Sequence, residues 1–248
     1  MIDPVAAEPP DEARMEICID SLLAGAERAR GVVAIIDVFR AFTTAAVVLA
    51  RGAAKIVIVS NVEEALSLRS AGVGHFCMGE VGGRAPPGFD LGNSPFEALQ
   101  ANVEGMTIIQ RTSAGTQGLV AAKHATQLYA GSLVTAKATA NAMLRHSPRQ
   151  VALVAMGKDG ASRADEDELC AIHLRNLLQG RQGSRSGIRD VILAGPQIPD
   201  FHDPEKPYLH PRDLEIALDV DRYEFAVRVV LEEGHLVARR EPSQPGIF

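Results

Sequence analysis

Six times along this chain a short apolar run gives way to a polar loop and then to a helix-forming segment. The runs are VVAIID (32–37), KIVIV (55–59), HFCM (75–78), MTIIQ (106–110), TQLYAG (126–131) and QVALVAM (150–156), with MEICID (15–20) as an earlier candidate strand. Apolar stretches without alternation mark strands covered on both faces, which is what a parallel sheet requires. Between them, Ala41 to Arg51 reads as a helix stopped by Gly52. Asn61 can cap a helix carrying Glu63 and Glu64 in its first turn, and Ser94 caps another with Pro95 at its first position. Further helices are expected over 135–146, from Asp165 to Leu178, and near 222–233. The alternation predicts an α/β fold: a parallel or mixed sheet layered between helices, α/β/α.

At 248 residues and 46% hydrophobic content, the chain can form one large unit or two subdomains around a cleft, with approximate limits 15–130 and 131–248. Residues 1–14, acidic and proline-bearing, are expected to be a flexible leader and do not resemble a signal peptide. Cys18, Cys77 and Cys170 have neither pairing nor metal-finger spacing, which suits a reducing cytoplasm. No apolar run reaches the roughly 20 residues of a membrane span. A net charge of −6, 4% aromatic content and no tryptophan argue against nucleic-acid binding. An anionic ligand would therefore need a local cationic cluster or converging backbone N–H groups. A symmetric homodimer is the usual assembly for soluble enzymes of this kind.

In such folds ligands bind beyond the carboxyl ends of the strands, and the chemically capable residues here follow the apolar runs. DVFRAFTT (37–44) places Asp37 at a strand end, then Arg40, then Thr43 and Thr44 at a helix start. Asp37 suits a hard cation and Arg40 a phosphate or sulfonate; equally, Asp37 can cap the helix with Arg40 as its ion pair. GEVGGR (79–84) carries Glu80 on a glycine-flanked turn, which by itself reads as a surface turn. GFDLGNSP (88–95) offers Asp90, Asn93 and Ser94. RTSAGT (111–116) brings Arg111, Thr112, Ser113, Gly115 and Thr116 to a strand–helix junction where N–H and O–H groups can converge on an oxyanion. It lacks the Gly-Lys-Ser/Thr ending of a P-loop. Ser132 is either part of a similar loop or a helix cap. DEDE (165–168) supplies Glu166 and Asp167, which also stabilise a helix start through its dipole. A cysteine-dependent phosphatase is excluded as usually built, since Ala24, Gly83 and Asn176 stand where its arginine belongs. Asp37 has Phe39, not aspartate, two places on.

With these strings in order, the chain resembles the 2-phosphosulfolactate phosphatases. The resemblance rests on IDVFRA (36–41), GE (79–80), GFDLGNSP (88–95), TSAGT (112–116), GS (131–132) and EDELC (166–170), of which the third is the most specific. It implies Mg²⁺-dependent hydrolysis of a small anionic phosphoester, the phosphate ester of a sulfonated hydroxy acid, in a two-subdomain α/β fold. It also implies Asp37, Glu80 and Asp167 as metal-binding or catalytic carboxylates, and Arg40 as a catalytic anion contact. It further implies Thr43, Asn93, Thr112, Ser113 and Ser132 as anion contacts; Thr44, Ser94, Arg111, Gly115 and Thr116, read from the loops themselves, complete the expected substrate contacts. The chain departs from the family pattern at Phe42, Val81, Arg111 and Ala114; Arg84 is the expected stand-in for an arginine missing at position 81.

Overall fold

The computed structural model describes residues 15–242; the expected leader at 1–14 lies outside the described residues. The elements run β1 (Glu16–Ser21), α1 (Leu22–Arg28), β2 (Gly31–Ile36), α2 (Ala41–Ala50), β3 (Lys55–Ile58), α3 (Val62–Ser70), β4 (Phe76–Gly79) and α4 (Pro95–Gln100). Then come β5 (Thr107–Arg111), α5 (Gly115–Ala121), β6 (Ala125–Gly131), α6 (Ala136–Leu144), β7 (Gln150–Ala155), α7 (Asp165–Leu178) and α8 (Arg185–Leu193). The chain closes with α9 (Pro211–Ala217), β8 (Phe225–Glu232) and β9 (His235–Pro242). The expected caps form: the side chains of Asn61 and Ser94 accept from the N–H groups of Glu64 and Glu97.

One mixed sheet of nine strands, in the order β1-β7-β2-β6-β8-β9-β3-β5-β4, carries helices on both sides. It contains two parallel blocks, β1-β7-β2-β6 and β3-β5-β4, joined by the antiparallel hairpin β8-β9. Three successive antiparallel joins reverse the chain direction between the blocks. In a flat sheet their carboxyl ends would lie on opposite edges. They meet instead: Asp37, just past β2, accepts a hydrogen bond from the Gly115 N–H, just past β5. Right-handed strand twist accumulates over the joins and curls the sheet. Helix α2, buried from Ala41 to Leu49, fills the curl, as a helix apolar on every side must.

The period-two alternation of β2 divides its side chains between two cores. Val33 and Ile35 face α2 together with Ile56, Ile108 and Val227. Val32, Ala34 and Ile36 face α6 and α7 through Met143 and Leu174.

The helix expected near 222–233 is a strand. FAVRVVLE forms β8 and turns through Glu233 and Gly234, at φ 51° and 85°, into β9. Positive φ at both turn residues matches the twist of a two-residue hairpin. The β-branched valines gain by packing on a pleated surface. The polar stretch around 180–187 and the loop after it contain α8 and α9, which begin at Arg185 and Pro211.

Candidate active site

A cleft of about 420 Å³ opens where the carboxyl ends of β2, β4, β5 and β7 converge. Its walls include Asp37, Arg40, Glu80, Asn93, Ser113 and Glu166. Asp37 is held by two backbone donors: Oδ1 accepts from Ala41 N–H and Oδ2 from Gly115 N–H, each at 2.9 Å. The first bond starts α2; the second ties the two parallel blocks together. Glycine at 115 is required, because a Cβ there would stand 2.8 Å from Asp37 Oδ2 and 2.9 Å from the Phe42 ring. Glu80 is clamped likewise. Its Oε1 accepts from Ser113 N–H at 2.5 Å, and its Oε2 accepts from Gly83 N–H at 2.7 Å and Ser113 O–H at 3.2 Å.

Arg40 is buried and committed on one side. Its Nη1 donates to Asp213 Oδ2 at 2.8 Å and to the Tyr208 carbonyl at 2.6 Å. Asp213 also accepts from Ser94 O–H at 2.7 Å and Phe96 N–H at 3.0 Å. Nε and Nη2 of Arg40 make no protein hydrogen bond among the described residues, which leaves them for an anion. Asn93 Oδ1 is buried without a partner.

Several expected contacts stand behind the cleft. Thr43 and Thr44 donate back to the carbonyls of Val38 and Arg40. Thr112 and Thr116 bond each other, and Ser94 caps α4. Ser132 is fully buried, its hydroxyl unpartnered. Arg111 braces the loops, donating to the carbonyls of Ser60 and Glu80 and to Ser113 O–H. Asp167 accepts from Val38 N–H at 2.7 Å and Gly157 N–H at 2.8 Å and is 2% exposed; its neighbour Glu166 lines the cleft instead, with Oε2 accepting from Gln197 Nε2 at 2.8 Å. Of the departures, Phe42 is core and Val81 faces outward. Ala114 lines the cleft, and Arg84 stacks its guanidinium over the Tyr208 ring at 4.4 Å.

Sequence reasoning missed the charged rim. Lys158, Arg163 and Lys206 line the cleft from loops beside Asp159, Asp165 and Asp200, and no local pattern distinguishes them from ordinary surface charges.

Burial, with Glu80 close by, raises the Asp37 carboxyl from 3.8 to about 6, against the pull of its backbone donors. Burial and the charge of Asp37 raise Glu166 from 4.5 to about 7. Asp167 is pushed well above the usual carboxylate range, by burial first and Glu166 second. Because these folded-state values exceed the unfolded ones, the native state holds extra protons between them. Stability from these groups is therefore full below the unfolded values and lost as pH rises through about 6 to 7. In EDTA, the melting temperature should fall between about pH 4 and pH 7, on the order of 3 kcal/mol coming from Asp37 alone. Glu166→Gln should flatten that fall. A melting temperature that climbs over this range would contradict the assigned burial penalty.

The chain is similar to known proteins over much of its length. The profile of the family described as 2-phosphosulpholactate phosphatase matches residues 19–195. A protein of Thermus thermophilus named "Probable 2-phosphosulfolactate phosphatase" is 39% identical over 136 residues, covering 54% of this chain and 56% of its own. One of the same name from Carboxydothermus hydrogenoformans is 47% identical over 113 residues, covering 46% and 47%. A third, from Parasynechococcus marenigrum, is 33% identical over 175 residues, covering 69% and 72%. The chain spans about half the length of the first two. With the family profile covering well over half of its residues, the chain belongs to the 2-phosphosulpholactate phosphatase family.

Proposed function

We propose that this chain is a phosphoric monoester hydrolase that converts 2-phosphosulfolactate to sulfolactate and phosphate with Mg²⁺. One observation carries the reading: a single cleft holds the buried carboxylates Asp37, Glu80 and Glu166 beside the half-free guanidinium of Arg40, under a rim where Lys158, Arg163 and Lys206 alternate with Asp159, Asp165 and Asp200. A substrate bearing phosphate, sulfonate and carboxylate needs cations at the site, because the chain as a whole is acidic.

Among the described residues, no three His, Cys, Asp or Glu side chains form a ready-made metal cage. Mg²⁺ does not require one; it binds through one or two carboxylates, with water and substrate phosphate completing the shell. Asp37, Glu80 and the unpartnered Asn93 Oδ1 are an all-oxygen donor set of that kind, and they would hold the ion. An ion held there would supply positive charge against that developing on the phosphoryl oxygens.

The free N–H groups of Arg40 orient the phosphoryl group, and Lys158, which has no ion pair among the described residues, receives another anionic group; Lys206 is held by Asp200 at 2.6 Å. Glu166 Oε1 makes no protein hydrogen bond among the described residues. With its carboxyl raised to about 7, Glu166 suits proton transfer from the attacking water near neutral pH. Solubility fits the absence of any helix among the described residues long and apolar enough to cross a membrane; a cytoplasmic location and a homodimer are part of the same proposal.

The test is a substrate panel with phosphate release as readout. 2-Phosphosulfolactate should be hydrolysed in preference to 2-phospholactate, which lacks the sulfonate. Equal rates would refute the substrate assignment while keeping the hydrolase; ligand-induced thermal stabilisation with no release from any ester would refute both.

A further inference from the structure

A second cavity, about 480 Å³, lies between α6, α7 and the loop over residues 180–186. Its lining shares no residue with the catalytic cleft. At its wall sits His173, on the face of α7 two turns beyond Glu166. His173 is 3% exposed, and neither ring nitrogen has a hydrogen-bond partner. Leaving a buried polar group without a hydrogen bond is destabilising, so an orphaned imidazole at a cavity wall points to a missing partner.

The surroundings define that partner. Lys137, Arg181 and Arg185 bring three positive charges to the cavity. Asp221 supplies one negative charge, already engaged: it pairs with Arg185 at 2.9 Å and accepts from Lys137 N–H at 2.7 Å. Lys137 and Arg181 have no ion pair among the described residues. The roof is the string GRQGSRSG (180–187). Gly183 lies against the imidazole, where a Cβ would come 3.4 Å from Nδ1. Burial lowers the His173 pKa, with Arg185 acting in the same direction against Asp221. A neutral ring offers one donor and one acceptor pointing to opposite sides, so a hydrogen phosphate can meet one of them, accepting from the ring N–H or donating its own O–H to the bare nitrogen.

We infer that this cavity is a second ligand site, distinct from the catalytic cleft, which takes the phosphate group of a small metabolite between His173, Lys137 and Arg181. It binds without turnover, since it contains none of the paired carboxylates of the cleft. The proposal does not depend on the catalytic reading.

The test follows the histidine imidazoles by long-range ¹H–¹⁵N correlation during titration with inorganic phosphate, with His173→Gln supplying the assignment. The His173 signals should shift saturably. The double variant Lys137→Ala/Arg181→Ala, which removes only exposed side chains, should weaken that response about tenfold. Phosphate that binds the protein and leaves the His173 signals in place would overturn the proposal, as would an unchanged affinity in the double variant. Neither outcome bears on the cleft, because none of the three residues lines it.

Discussion

Replacing Asp213 with alanine should lower the unfolding free energy by about 3–5 kcal/mol, the usual result of stranding one member of a buried ion pair. For a chain of this size that corresponds to a drop of roughly 10 °C in melting temperature. The pair is fully enclosed: Arg40 is 3% exposed and Asp213 0%. Alanine would leave the Arg40 guanidinium without its carboxylate and release Ser94 O–H and Phe96 N–H together. Two parts of the chain far apart in sequence would then lose their tie, α9 on one side and the Asn93–Ser94 turn on the other. Ser94→Ala removes one of those bonds and the α4 cap, and should cost only about 1 kcal/mol. Thermal melts of both variants check the comparison. Equal losses would mean that the carboxylate contributes no more than a cap does. Asp213→Asn, which keeps the shape, should retain more structure than alanine while weakening substrate binding, because Arg40 is then held by a neutral amide.

Gly79→Ala should be nearly as damaging for a steric reason. Gly79 closes β4 opposite Arg111 at φ 139°, and a Cβ there would fall 1.8 Å from the Arg111 carbonyl oxygen. No side chain can rotate to relieve a clash with backbone. The ends of β4 and β5 must part, at an overpacking cost of about 1–3 kcal/mol or more and a similar cost in backbone strain. The next residue is Glu80, whose N–H donates to the same carbonyl at 3.0 Å, so activity should fall with stability. Gly72→Ala is the control. It also has positive φ, 77°, but open space around it, so only the backbone penalty of about 1 kcal/mol applies. Similar melting temperatures for the two variants would rule out the clash as the cause.

The legible parts of the molecule were those set by local pattern. β2, β5 and β7 could be read because each is covered on both faces and so is apolar throughout. Asp37, Glu80 and the Ser113–Gly115 turn could be read because they follow such runs. Arg40 was legible as a cleft residue, but its partner lies 173 positions away, beyond any spacing argument and beyond the family match at 195. The choice between Glu166 and Asp167 turned on about 100° of rotation around α7, and four consecutive acidic residues give no apolar stripe to orient that face. The hairpin β8-β9 was read as a helix, because ValArgValVal has no single period that separates strand from helix.

The most direct test of the account is phosphate release from 2-phosphosulfolactate by the purified protein, with and without Mg²⁺, beside Asp37→Asn. The amide keeps the size of the carboxylate, but it has one acceptor for the two N–H groups of Ala41 and Gly115 and no charge for a cation. Release that requires Mg²⁺ and falls at least about a hundredfold in the variant, the scale of a lost catalytic group, is the expected result. Release that proceeds equally without Mg²⁺, or that survives in Asp37→Asn, would contradict the assignment of Asp37 and the acidic floor of the cleft to the chemistry.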